Sequence, residues 1–94
     1  MGVTKHDRIA KEIANKKDTE YHSDKGVDIR TATQVIEVEV DTGTFKEGLR
    51  QLRGSAKSRY LAVPNELVED AIDYTQGTGV GVMNEHGRIK KRAR

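Results

Sequence analysis

Three segments of the chain carry apolar residues at helical spacing. In residues 4–16 the apolar positions are Ile9, Ala10, Ile13 and Ala14. In GTFKEGLRQLRG they are Phe45, Leu49 and Leu52, at i, i+4 and i+7. ELVEDAIDYTQG has a similar apolar face. Thr4 and Asn65 stand before the first and third segments, where an N-cap is expected. The pattern therefore predicts three amphipathic helices.

Alternation with a period of two residues marks the strands. GVDIRT and QVIEVEV follow each other closely, which indicates a β-hairpin, and RYLAVP and GVGVM are further strand candidates. A loop centred on Ala32 and Thr33 places Asp28 opposite Glu37. In that register Val27, Ile29, Ile36, Val38 and Val40 share one face, and Asp28, Arg30, Glu37 and Glu39 share the other. Both strands then agree on which face is buried, which supports the register.

The order of elements becomes α-β-β-β-α-β-α-β when a short strand is added at residues 20–22. This order predicts an α/β fold, with a small mixed central β-sheet flanked by helices. Residues 1–87 would form a single domain and residues 88–94 a basic C-terminal tail.

Composition narrows the class of protein. Of the 94 residues, 34% are hydrophobic and 4% aromatic. The core is therefore thin, and a homodimer would bury more apolar surface. The chain has no cysteine and no apolar run near the ~20 residues that span a bilayer. We expect a cytoplasmic protein that does not contact membranes.

The last seven residues, RIKKRAR, concentrate positive charge. They contain five cations and no acid: Arg88, Lys90, Lys91, Arg92 and Arg94. Such a segment suits either a solvated end of the chain or contact with a polyanion such as DNA.

The acids on one face of the predicted hairpin raise a question of chemistry. Like charges directly opposite one another on a sheet are destabilising, although a solvated surface tolerates them. Alternatively, Asp28, Glu37 and Glu39 converge on a hard divalent cation, because Mg²⁺ prefers oxygen ligands and completes its shell with water and phosphate. A cation held in this way can activate water and stabilise charge on a phosphodiester. The residues alone leave both interpretations open.

The stretch GVDIRTATQVIEVEV, followed by a helix, RYLAVP, a second helix and GVGVM, resembles the restriction-endonuclease-like PD-(D/E)xK nuclease superfamily. That group includes type II restriction enzymes and archaeal Holliday-junction resolvases. Asp28 matches the Asp that opens the hairpin, Glu37 matches the Glu of the returning strand, and Gly26 matches a glycine two residues before the Asp. The resemblance covers roughly residues 5–89.

The resemblance implies a restriction-endonuclease-like core and a Mg²⁺- or Mn²⁺-dependent endonuclease that cleaves DNA, with branched or nicked DNA as expected substrates. It assigns metal binding to Asp28, Glu37 and the backbone carbonyl of Val38. The catalytic set would be Asp28, Glu37 and Glu39.

Glu39 departs from the superfamily pattern, which usually has lysine at this position. A minority of restriction enzymes have glutamate there, and Glu39 could act as a base or recruit a second cation. Because inactive members also lose the lysine, the alternative is a catalytically inactive nucleic-acid-binding or assembly protein on the same fold. A third interpretation drops the family and predicts a small interaction domain whose acidic face is only solvated.

A basic stripe on the second predicted helix is the main candidate for phosphate contact, although a solvated face has the same pattern. Its members are Lys46, Arg50, Arg53 and Lys57. Gln51 lies in the same helix as an auxiliary candidate, as do Glu12 and Glu20 nearer the N-terminus. His22 is expected near the site as an auxiliary base.

The other two histidines, His6 and His86, are expected on the surface.

Overall fold

The computed structural model describes residues 4–22 and 27–94. Its elements in chain order are α1 (Lys5–Lys16), β1 (Ile29–Arg30), β2 (Gln34–Val38), α2 (Phe45–Leu52), β3 (Ser58–Ala62), α3 (Val68–Tyr74), β4 (Gly81–Met83) and β5 (Ile89–Lys91). The five strands form one sheet in chain order, with β2, β3 and β4 parallel and the two outer strands antiparallel to their neighbours. The predicted class, a small α/β fold with a mixed sheet flanked by helices, is confirmed.

Both faces of the sheet are buried, which makes three layers. On one face the apolar stripe of α1 packs against β1, β2 and β3, with Ile13, Ile29 and Ile36 fully buried. On the other face α2 and α3 cover β2, β3 and β4, and Phe45 and Leu52 are buried there. The carboxyl-terminal parts of β2, β3 and β4 run between two apolar layers, so their side chains on either face are removed from water.

The hairpin adopts the predicted register. Ile29 pairs with Ile36 and Arg30 with Val35, and β1 and β2 are antiparallel. Ile36 and Val38 face α1, as expected, and Val40 packs at the edge of that cluster. Val27 is an exception, because it joins the cluster under α2 and α3. It lies outside β1, so strand alternation does not fix its direction.

The order of elements differs from the prediction at two places and is α-β-β-α-β-α-β-β. At residues 20–22 a single residue, Tyr21, makes an antiparallel bridge with Ile29. At the other end, Ile89–Lys91 of the basic segment pairs with β4 as a fifth strand. Its side chains are mostly exposed and charged, so the segment lacks the alternation that marks a buried strand.

Of the two N-caps predicted from the sequence, one is present and one is not. The hydroxyl of Thr4 accepts a hydrogen bond from the Asp7 amide at 3.0 Å and caps α1, as predicted. Asn65 is not the N-cap of α3, because it lies within a 3-10 turn that starts directly after Pro64.

Gly26 lies outside the described residues. No helix in the described ranges is long and apolar enough to cross a membrane.

Gly81 tests how closely β4 packs against its two neighbouring strands. A Cβ at this position would stand 2.5 Å from the Lys91 carbonyl oxygen, 2.5 Å from Cε1 of Tyr60 and 2.6 Å from the Ala93 nitrogen. We expect Gly81→Ala to lower the free energy of unfolding in urea by about 1–3 kcal/mol, because the added methyl overpacks against backbone. Gly43→Ala is the control, since there the nearest atom is an exposed Asp41 carboxylate oxygen at 3.3 Å. Equal stability of the two variants would contradict the close packing of β4 against β3 and β5.

Candidate functional site

Asp28, Glu37 and Glu39 lie at the carboxyl end of β2, where the hairpin places Asp28 beside the returning strand. Since β2, β3 and β4 are parallel, this is the edge of the sheet at which ligands bind in open α/β folds. Glu39 directly follows β2, and its amide donates to the Ala62 carbonyl at 3.0 Å, which keeps it in line with β3.

Asp28 and Glu37 exchange hydrogen bonds across the hairpin. The Asp28 amide donates to Oε1 of Glu37 at 3.1 Å. In return, the Val38 amide donates to Oδ2 of Asp28 at 2.9 Å. Each carboxylate is therefore held by a backbone N–H of the opposite strand. The predicted pairing of the two acids is present, and it is specified by main-chain geometry.

These acids are not on a solvated face. Asp28 is 6% exposed, Glu37 7% and Glu39 9%. The acidic side of β2 also carries Val35, which is buried in the cluster under α2 and α3. The interpretation of the acids as a plain wet surface is therefore wrong, because helices cover both sides of the sheet.

Glu39 reaches the backbone of α2 at Gly48. A Cβ on Gly48 would stand only 2.9 Å from both Cγ and Oε2 of Glu39. Glycine in a helix interior costs about 0.5–1 kcal/mol relative to alanine. Here its missing side chain gives the Glu39 carboxylate its place between β2 and α2.

A chain of hydrogen bonds joins α1 to the hairpin acids. Nε2 of His6 lies 3.1 Å from Oδ2 of Asp28, and Nδ1 lies 3.2 Å from the Tyr21 hydroxyl. The hydroxyl donates to Oδ1 of Asp7 at 2.7 Å. Tyr21 is placed by its bridge to Ile29, next to Asp28. His6 is thus part of the site, which corrects the prediction that it lies on the surface.

The directions of these hydrogen bonds give His6 a positive charge. The bond from Tyr21 holds the pKa of Asp7 below its ordinary value, so Asp7 is an acceptor only. Tyr21 has one proton, and it goes to Asp7, so its oxygen accepts from Nδ1 of His6. Nε2 then donates to Asp28, and both ring nitrogens carry protons. In agreement, the hydrogen bond to Asp28 raises the pKa of His6 to about 9.

One sequence signal for His6 was available. Positions 6, 10 and 13 share one helical stripe, i, i+4 and i+7, so His6 lies on the buried face of α1 together with Ala10 and Ile13. A polar residue in phase with the apolar stripe has to find a partner inside the fold. Which partner it finds depends on how α1 docks.

Burial disfavours the charged form of the two glutamates. It is the main reason why the pKa of Glu37 is raised to about 8, and the nearby charge of Asp28 adds to the effect. Burial also raises the pKa of Glu39, against an opposing hydrogen bond from Thr44. Both glutamates therefore keep their protons to a higher pH than a solvated glutamate does.

The chemistry of the donor set fits a hard divalent cation, since three carboxylates converge at one edge. The arrangement is not preformed for one: in residues 4–22 and 27–94 no three acids or histidines already stand in metal-holding positions. Glu37 and Asp28 use one oxygen each for main-chain hydrogen bonds. Asp28 and Glu37 would hold the cation, with Glu39 beside them, after small side-chain movements.

The predicted basic stripe on α2 is interrupted by an acid. Arg50 forms a two-point ion pair with Glu47 at 2.5 and 3.1 Å, and Gln51 also donates to Glu47, at 3.4 Å. Lys57 donates to the Thr31 carbonyl at 2.8 Å. Lys46 and Arg53 are exposed. Lys46 and Arg53 thus lie at the two ends of α2, and Lys57 lies beyond its last residue, Leu52, so the four cations do not form one continuous helical stripe.

The basic C-terminal segment is also partly engaged within the fold. The Lys91 ammonium donates to the carbonyls of Thr75 and Val80 at 2.8 and 3.0 Å, at the C-terminal end of α3. Arg88, Lys90 and Arg92 have exposed side chains. Because β5 runs antiparallel to β4, Arg88 lies toward the edge that carries the acids and Arg92 toward the opposite edge.

The auxiliary candidates are not brought to the acids by any described contact. Glu12 pairs with Nδ1 of His86 at 2.8 Å, near the far end of α1. Glu20 is exposed. His22 approaches through its backbone, whose amide donates to the Asp28 carbonyl at 2.8 Å, while its residue is exposed.

Comparison of the chain with protein-family models, curated proteins and solved structures found no match.

Gly48→Ala should move Glu39 out of its place. We expect the variant to lower the free energy of unfolding by about 1–3 kcal/mol, because the new methyl overlaps the Glu39 side chain. In a Glu39→Ala background at least half of that cost should vanish, which a double-mutant cycle in urea would measure. A Glu47→Ala background is the control and should leave the cost unchanged. The same cost in all three backgrounds would show that Gly48 does not serve Glu39.

The raised pKa values predict that stability falls with increasing pH in the presence of a chelator. A group whose pKa is raised in the folded state stabilises the fold at pH values below its unfolded-state pKa. This contribution is lost as the pH rises through its folded-state pKa. For Glu37 this window runs from 4.5 to about 8, and for His6 from 6.5 to about 9. The free energy of unfolding should therefore decrease between pH 6.5 and 9.

Substitutions separate the contributions of Glu37 and His6 to the pH dependence of the free energy of unfolding. Glu37→Gln and His6→Gln should each flatten the pH profile, measured by urea unfolding at several pH values. Glu20→Gln, which changes an exposed acid in the same way, should keep the wild-type slope. A wild-type profile that rises or stays level from pH 6.5 to 9 would contradict the account of the site.

Proposed function

We propose that this chain is a small metal-dependent nuclease that hydrolyses DNA phosphodiesters on a restriction-endonuclease-like core. The observation that carries the proposal is the pairing of Asp28 with Glu37 in a buried position at the carboxyl end of β2. Buried carboxylates are costly, and functional sites often contain them with pKa values shifted as that of Glu37 is.

The order of elements supports the proposed core in its central part. A hairpin that carries the acids, a helix, a parallel strand, a helix and a further parallel strand occur in the expected sequence from β1 to β4. The departures lie at the two ends of the chain, at residue 21 and at β5. Neither end contributes Asp28, Glu37 or Glu39.

The residues of the chain have separate tasks in the proposed reaction. A divalent cation, when bound, activates water and stabilises the charge that develops on the phosphate. Asp28 and Glu37 supply its protein oxygen ligands, with the Val38 carbonyl as a third candidate. Glu39, whose pKa is raised by burial, accepts a proton from the attacking water. The surrounding apolar clusters strengthen these charges by keeping bulk water away.

Contacts with DNA are proposed for the exposed cations nearest to this edge. Lys46 lies in the first turn of α2, which begins shortly after Glu39, and Arg88 lies in the turn that leads to β5. Arg53, Lys90 and Arg92 are further away, and they would contact a longer stretch of backbone. A homodimer, predicted from the thin core, would bring a second set of these cations to the same duplex.

A catalytically inactive nucleic-acid-binding or assembly protein is the second candidate. One observation favours it: the Glu39 carboxylate is buried against Gly48 of α2, at a position where the resembled family usually has a positively charged lysine. On this account the chain binds DNA in a salt-dependent manner and does not cleave it.

Cleavage of branched, nicked and linear DNA in millimolar Mg²⁺ or Mn²⁺ separates the two candidates. For the nuclease we expect wild-type cleavage that needs the cation and is abolished in Glu37→Gln and Asp28→Asn, because each removes a charged ligand oxygen. Asp73→Asn, on the exposed face of α3, is the matched control and should cleave normally.

The outcomes are distinct. Cleavage that survives Glu37→Gln would remove the proposed site. Salt-dependent binding without cleavage, which persists without cleavage after Glu39→Lys, would establish the inactive candidate instead.

A further inference from the structure

We propose that His6 is a positioning residue for Asp28, which fixes the Asp28 carboxylate with Oδ2 turned inward and Oδ1 left for a cation. The consequence for cation binding rests on the proposed nuclease function. The fixing of Asp28 itself does not, because it follows from contacts within the chain.

The imidazole of His6 is held on both of its nitrogens. Nδ1 contacts the Tyr21 hydroxyl at 3.2 Å, and Nε2 contacts Asp28 at 3.1 Å. The Tyr21 hydroxyl is in turn anchored by Asp7 at 2.7 Å. A ring bound at both nitrogens has one orientation, so the position of its Nε2 proton is set by α1 and Tyr21 before any ligand arrives.

Oδ2 of Asp28 receives two hydrogen bonds, one from Nε2 of His6 and one from the Val38 amide at 2.9 Å. Two donors on one oxygen fix the rotation of the carboxylate about its Cβ–Cγ bond. Neither of these two contacts uses Oδ1. Partners of this kind, which orient a ligating side chain, commonly change metal affinity by about 10- to 100-fold when they are removed.

His86 offers a matched comparison within the same protein. Its Nδ1 contacts Oε2 of Glu12 at 2.8 Å, so it also joins a histidine to an acid at α1. It differs from His6 in that its acid is half-exposed and lies at the other end of the helix. A general loosening of α1 would follow from either substitution, whereas a change at Asp28 should follow only from one at His6.

The test compares His6→Ala, His6→Gln, Tyr21→Phe and His86→Ala with the wild-type chain. The first measurement is the proton chemical shift and hydrogen-exchange rate of the Val38 amide, in the presence of a chelator. The second is Mn²⁺ affinity by calorimetry. Tyr21→Phe keeps the ring and removes only the hydroxyl, so it reports on the same contact if His6→Ala is poorly folded.

We expect the Val38 amide of His6→Ala to shift upfield and exchange faster, with Mn²⁺ affinity about tenfold or more below that of His6→Gln, which lacks the same charge but keeps a donor. Tyr21→Phe should show the same changes in weaker form. His6→Gln should restore much of both, because its amide nitrogen can donate from the position of Nε2. His86→Ala should match wild type.

An unmoved Val38 amide in both His6→Ala and Tyr21→Phe would overturn the proposal, as would an equal change in His86→Ala. If the wild-type chain binds no Mn²⁺ but His6→Ala still moves the Val38 amide, the positioning role stands and the proposed metal-dependent function falls.

Discussion

The exchange of hydrogen bonds between Asp28 and Glu37 is the constraint on which the site depends. Each carboxylate accepts an amide proton from the other strand, so the pair exists only in one register of the hairpin. A slip of one residue would turn the side chains of the slipped strand to the opposite face, so that its acid and its aliphatic residues exchange layers. The apolar core and the acidic site therefore select the same register, and neither could change without the other.

The surrounding helices are fitted to this pair from both sides. From one side α1 contributes His6, whose charge faces Asp28. From the other side α2 contributes Gly48, whose missing side chain makes room for Glu39. Burial disfavours a charged carboxylate unless it is paired, and the His6 charge faces Asp28. Burial is the main cause of the raised pKa values of Glu37 and Glu39, and a bound divalent cation would favour their charged forms.

Much of the fold could be predicted because its information is local. Alternation in QVIEVEV and its partner strand fixed the hairpin register, and the stripes of Ile9 to Ala14 and Phe45 to Leu52 fixed two helices. The burial of Glu37 and Glu39 could not be predicted in this way, because it depends on α2 and α3 covering the acidic face. The strand Ile89–Lys91 was missed because its exposed, charged residues carry no strand pattern, and only its pairing with β4 defines it.

The contact made by His6 could not be predicted from local sequence patterns. Its position on the apolar stripe of α1 indicates that it is turned inward, but its contact with Asp28 spans 22 residues of sequence and requires the helix, Tyr21 and the hairpin to be docked. The sequence pattern therefore predicted the pairing of Asp28 with Glu37, but it did not predict the contact between the His6 imidazolium and Asp28.

The central claim, a divalent-cation site at Asp28 and Glu37, is tested most directly by paramagnetic broadening of backbone amide signals during a Mn²⁺ titration. The account predicts that the amides of Asp28, Val38 and Glu39 broaden first, and that Mg²⁺ in excess restores them. Broadening that begins at exposed acids elsewhere, such as Asp73 or Glu69, with the hairpin amides unaffected at millimolar Mn²⁺, would contradict it.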